Sequence, residues 1–181
     1  MNKFKHTNNT IKIAIDKGDI NNINDWDVSK VTDMSKLFYG FKFTKDICLN
    51  KWDVSNVTDM SCMFANSKFN KDIGNWNVSN VANMSYMFYG CIDFNQYIGN
   101  WNVSNVTDMN KMFSECGKFD QDIGNWNVIK VTNMKGMFCN CKNFNQDIGN
   151  WDVSNVTDME DMFYCCNNFD QDIRKWKLEC N

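Results

Sequence analysis

The 181-residue chain contains a single histidine, His6. A Ser-His-Asp or Cys-His nucleophilic arrangement would depend on that one imidazole, and it stands in the N-terminal lead, away from the rest of the pattern. Glycine-rich phosphate loops are missing. So is any C-x-x-C pair: Cys139 and Cys141, or Cys165 and Cys166, lack the paired knuckles of a zinc site. Long apolar runs are missing as well. The lead MNKFKHTNNTIKIAIDKG offers only Ile13-Ala14-Ile15, too short for a signal peptide, and no segment reads as a membrane span. That lead favours a cytoplasmic location, in a bacterial or virus-infected cell. Basic charge is scarce: the net charge is −3, the pI is about 5.1, and no Lys/Arg stripe is present. Phosphate affinity needs such a stripe, so nucleic acid is not the expected partner.

What is abundant is repetition. Tryptophans stand at 26, 52, 76, 101, 126, 151 and 176, a period close to 25 residues. A fixed period of that size signals a stacked array. The framework of one unit is Trp151, Val153, Val156, Met159, Met162, Phe163, Cys166, Phe169 and Ile173. Each position has its counterpart one period earlier, from Trp126 to Ile148. An apolar fraction of 43% suits a folded core. Residues 1–22 depart from the pattern. Ile11, Ala14 and Ile15 follow helical spacing, with Thr7 to Thr10 as candidate caps and Gly18 as a stop. They read as a helix covering one end of the stack. Residues 23–181 read as about six coils of one domain. At the other end only Trp176 and Leu178 begin a further edge.

Two patterns alternate inside a unit. Val156, Met159, Met162, Phe163 and Cys166 follow spacing of three and four, so each coil is expected to hold a short helix. Thr157 and Glu160 would form its capping box in one unit. The stretch ending at Trp and Val, with Gly74, Gly99, Gly124 and Gly149 at one position, suggests a bend and a short strand paired in parallel with its neighbours. The expected fold is a right-handed α/β solenoid, with an all-β solenoid as the alternative. Asn75, Asn100, Asn125 and Asn150 would stack as one ladder. Asp46, Asp72, Asp122, Asp147 and Asp172 would form a second, broken by Tyr97.

Nine cysteines is a high count, but Cys91, Cys116, Cys141 and Cys166 share one framework position that Ser67 and Phe41 fill elsewhere. A slot that accepts those three residue types is a packing slot, and its thiols are expected to be buried and reduced. Asp120 to Asn125 departs from a calcium loop: its Gly comes one place early and the twelfth position is Val131. Paired carboxylates recur in every coil, whereas an active site is a unique constellation. No catalytic residue, cofactor or metal is assigned, and an enzyme is not expected.

The unit W-[DN]-V-S-N-V-T-[DN]-M-x-x-M-F-x-x-C-x-x-F-[ND]-Q-D-I-G-N resembles the BspA-type leucine-rich-repeat-like surface protein repeat, in the version known as a mycoplasma domain of unknown function. The resemblance covers about Ile23 to Leu178, and Met87 to Cys91 is similar to the AFxxC of BspA-type repeats. It implies strands on one face, short helices on the other, a cell-surface or secreted location, and binding of host proteins or other partners. The expected function is therefore a non-catalytic protein-protein interaction module, with a passive spacer as the alternative. Tyr86, Tyr89, Tyr97 and Tyr164 are the candidate partner contacts, because tyrosine is enriched where proteins meet. The partner is expected to be a protein, without nucleic acid or membrane insertion, and the chain to be a monomer or to associate end to end.

Overall fold

The computed structural model describes residues 5–43 and 47–176, so Asp46 and Leu178 lie outside the described residues. One α-helix, α1 (Asn8–Asp16), opens the chain, and a 3-10 turn follows at Ile23–Asp25. Thr7 caps α1: its hydroxyl accepts from the Thr10 amide, and the Thr10 side chain reciprocates. Ile11 and Ile15 bury one stripe of α1 against the first coil, and Gly18 leaves it at φ +68°. Asn8 supplies what a preceding coil would. Its Oδ1 accepts from the amides of Thr32 (2.8 Å) and Asp33 (3.2 Å). One period on, the Thr32 carbonyl does the same for Thr58 (2.8 Å) and Asp59 (3.4 Å).

The coils stack in parallel, but the short helix and the short strand expected in each coil are both absent among the described residues. Coil-to-coil β contact is confined to isolated parallel bridges, such as Asp108 with Asn133, so the all-β alternative is not met either. Consecutive β-turns take the place of the helix. The carbonyls of Met109, Lys111 and Phe113 accept from the amides of Met112, Ser114 and Cys116, three residues on. The intervening amides leave the coil: those of Met109, Lys111, Phe113 and Glu115 donate to the carbonyls of Asn133, Lys135, Met137 and Cys139. Lys111 (φ 48°) and Glu115 (φ 65°) occupy the third places of two turns, where positive φ marks type II geometry. An α-helix cannot pass through a left-handed residue. The apolar spacing of three and four survives because successive i to i+3 turns also bring those side chains to one side.

The capping box at Thr157 and Glu160 is likewise not formed. The Thr157 hydroxyl donates to the Thr132 carbonyl one coil earlier, at 3.0 Å. The expected strand is replaced by turns from Ile98 to Trp101 and from Val103 to Val106. Glycine is needed where the coils approach most closely. A Cβ on Gly124 would lie 2.5 Å from the Asp147 carbonyl oxygen.

Stacked aromatics fill the interior. Phe64, Phe88, Phe113, Phe138 and Phe163 follow at centroid steps of 5.6 to 5.8 Å. A second Phe column runs beside it, with Phe113 and Phe119 at 4.1 Å. Trp126, Trp151 and Trp176 stack at 6.4 Å. From Trp52 onward each indole is buried yet satisfied: Trp101 Nε1 donates to the Ile73 carbonyl, 3.2 Å away in the previous coil.

Candidate binding site

The repeated polar letters belong first to the stack. Asn105 Nδ2 donates to the Ser79 carbonyl (2.7 Å) and the Thr107 hydroxyl to the Ala82 carbonyl (3.2 Å). Asn56 and Thr58 do the same two coils earlier, so the Asn-Val-Thr triplets tie coils together. The ladder of side-chain amides runs through a column different from the expected one. Asn70 Oδ1 accepts from the Asn95 amide and from Gln96 Nε2, and Asn95, Asp120 and Asn145 repeat this toward Gln121, Gln146 and Gln171. Among the described residues no such bond joins Asn75, Asn100, Asn125 and Asn150. The Asp column does not stack through its carboxylates. Asp72, Asp122 and Asp147 each accept from the amide two residues on, at 2.9 to 3.0 Å. The sequence pattern carried a signal for the Asn70 column, an Asn or Asp before a near-invariant Gln, but only stacking reveals that the two act as a pair.

The cysteine column is interior. Cys91, Cys116 and Cys141 are buried, and their thiols donate to the carbonyls of Phe64, Phe88 and Phe113 at 2.8 to 3.0 Å. Burial pushes the Cys91 thiol up to about 11 and holds Cys116 and Cys141 well above the ordinary thiol range. Such thiols are poor nucleophiles and poor metal ligands in the native state. His6 packs against Trp26 with centroids 4.2 Å apart, and burial lowers its pKa against the opposing pull of the Thr10 backbone and Asp27. It belongs to the N-terminal end of the core.

The sequence-selected tyrosines separate into three places. Tyr86 and Tyr89 are half-buried and meet edge to face at 5.6 Å. Tyr39, which the sequence did not single out as a contact, joins them from two coils earlier in the Tyr89 column. Together with Lys36, Cys62, Ala65, Asn66 and Lys111 they line an open groove of about 440 Å³. Polar contacts fix the rings: Asn66 Nδ2 donates to the Tyr39 hydroxyl (3.1 Å), and the Tyr89 hydroxyl donates to Glu115 Oε1 (2.9 Å). That last bond, more than burial, raises the Tyr89 pKa. The Lys111 ammonium lies 5.7 Å from the Tyr86 centroid, a cation-π contact. Burial raises the Cys62 pKa, partly offset by Lys36, so the groove thiol stays protonated near neutrality.

Tyr97 lies in the Asp column instead, half exposed, its hydroxyl donating to Asn100 Oδ1 at 3.2 Å. Tyr164 shares the Tyr89 column three coils on and is 62% exposed. It borders a separate hollow beside Met159, Phe163 and Trp176. Lys36, Cys62, Tyr86, Lys111, Gly136 and Asp161 form one column, and every one has positive φ. That column brings Lys36, Cys62, Tyr86, Lys111 and Asp161 to the surface, exposed or half-buried, while the apolar residues on either side face the core.

No helix among the described residues is long and apolar enough to cross a membrane, and no group of three or more metal-binding side chains is found among them. No curated protein and no solved structure matches this chain. One family model matches it twice, over residues 5–114 and 93–180. The chain therefore belongs to the family described as mycoplasma protein of unknown function, DUF285, and carries two copies of its repeat region.

Proposed function

We propose that this chain is a non-catalytic protein-interaction module, a leucine-rich-repeat-like solenoid that meets its partner through the variable column and the tyrosines beside it. The observation that carries this is the gathering of Tyr39, Tyr86 and Tyr89 in one groove, drawn from coils far apart in sequence. Tyrosine offers a large, stiff, amphipathic contact at a small entropic cost. The Asn105-, Thr107- and Asn70-type columns are engaged in coil-to-coil bonds, whereas the variable column differs from coil to coil.

The test is capture of partners from the source cell or its host by the wild type, by Tyr86→Ser/Tyr89→Ser, and by Tyr97→Ser and Tyr164→Ser separately. Folding of each variant is first checked by thermal unfolding. A partner lost by the double variant and kept by the other two supports the groove. Equal retention by all three moves the contact elsewhere on the surface. The absence of any partner for the wild type favours the spacer, for which the same ladders would supply a stiff element of a larger assembly.

A further inference from the structure

We propose that the groove binds an extended acidic peptide segment with the pattern Glu-x-Φ-x-Glu, Φ being aromatic or large aliphatic; this rests on the protein-interaction function above and specifies its partner chemistry. The groove is closed at its two ends by lysines of one column, Lys36 and Lys111, with Cys62 and Tyr86 between them. Neither lysine makes an ion pair with a described residue. Three lysines elsewhere are matched across coils, Lys12 by Asp33, Lys118 by Asp93 and Lys135 by Glu160. The carboxylates that border the groove are already engaged. Asp59 accepts from the Ser61 amide, and Glu115 accepts the Tyr89 hydroxyl. The groove thus presents two ammonium groups without ion-pair partners beside phenol rings, on a chain of net charge −3.

Spacing selects the occupant. Three coil steps separate the lysines, roughly 15 Å at a backbone separation of about 5 Å per step. An extended peptide rises about 3.3 Å per residue and puts alternate side chains on one face, so residues i and i+4 lie about 13 Å apart. Carboxylates at i and i+4 reach both ammonium groups, and the residue at i+2 lies over Tyr86 and Tyr89. A nucleic acid strand would also offer anions and flat rings. It continues as a polyanion beyond the two lysines, where the acidic surface of this chain repels it.

The experiment uses the whole chain and four labelled probes of equal length. They are a Glu-x-Phe-x-Glu peptide, its Gln and Lys counterparts at the two end positions, and an oligothymidylate. Fluorescence anisotropy is read at low and at raised ionic strength. The acidic peptide should bind about tenfold more tightly than the Gln peptide, as expected for two solvent-exposed ion pairs, and salt should erase the difference. Lys36→Asp/Lys111→Asp should invert the order and prefer the Lys peptide. Asp161 already occupies this column at φ 57°, so the backbone accepts the change. Bound acidic peptide should also slow alkylation of Cys62, read by peptide mass spectrometry. Equal binding of the Glu and Gln peptides, an unchanged order in the double variant, or tighter binding of the oligothymidylate overturns the proposal. If the peptides fail in this way while Tyr86→Ser/Tyr89→Ser still loses a captured partner, the groove chemistry is wrong and the interaction function stands. If the peptides behave as stated but no partner is captured, the function falls and the anion-selective groove remains.

Discussion

Two residues in each central coil are left-handed, and most of them are not glycine. Lys36, Cys62, Tyr86, Lys111 and Asp161 hold φ between 48° and 57°. For an L-residue this costs about 1–2 kcal/mol, so the stack must over-determine the turn. Glycine relieves that cost where it occurs. Gly136→Ala places a Cβ at φ +58°, 3.1 Å from the Lys111 Cγ, and should destabilise by roughly 1–2 kcal/mol in denaturant unfolding. Gly117→Ala has negative φ and its nearest neighbour at 4.0 Å, and should be neutral or stabilising by up to about 1 kcal/mol. Equal losses for both would show that neither φ nor crowding sets the cost. The buried thiols make a second residue-scale prediction. Burial raises Cys91 and Cys166 from an ordinary 9.0 to about 11. The unfolded chain releases these protons first as pH rises. The stabilisation linked to them is therefore complete below pH 9 and falls between pH 9 and 11, on the order of 1.4 kcal/mol per pH unit for each titrating thiol. Urea midpoints of wild type and Cys91→Ala over that range measure it, and parallel curves would refute the assignment.

At the scale of elements, the columns were legible in the sequence and the local conformation was not. Met109, Met112, Phe113 and Cys116 are all fully buried, as their spacing requires. The same spacing fits an amphipathic helix, and Lys, Cys and Tyr give no sign of positive φ, because those residue types seldom adopt it. What decides the matter is the backbone donors. Every second amide finds a carbonyl in the next coil, which an α-helix would forbid because it consumes its amides internally. The N-terminal element obeys the same accounting. Asn8→Ala removes the acceptor of the Thr32 and Asp33 amides and should cost about 1 kcal/mol. Hydrogen exchange should then quicken at Thr32 and Asp33 while Thr107 and Asp108 keep their protection. Uniform quickening along the chain would mean that α1 is no independent cover of this end.

At the scale of the whole molecule, each coil bonds to the one before and the one after, so stability is close to a sum over neighbours. Deleting Trp101 to Asn125, one full period, should leave a folded chain with a smaller dependence of unfolding free energy on denaturant. Deleting Trp101 to Asn110 breaks every column at once and should abolish cooperative unfolding. A folded product from the shorter deletion would contradict the ladder account. Tyrosine placement belongs to this scale as well. Tyr86 and Tyr89 lie in one groove with Tyr39, whereas Tyr97 and Tyr164 stand apart, because the column a residue occupies fixes its face of the stack.

The period, the core columns, the N-terminal helix and the interior place of the thiols follow from the sequence alone, since each depends on apolar spacing that recurs every coil. The turns in place of helices, the Asn70-type ladder and the unpaired lysine ends of the tyrosine groove were decided only in three dimensions. Each depends on which backbone amide or side chain meets its neighbour about 25 residues away, and a single unit of the repeat carries no record of that encounter.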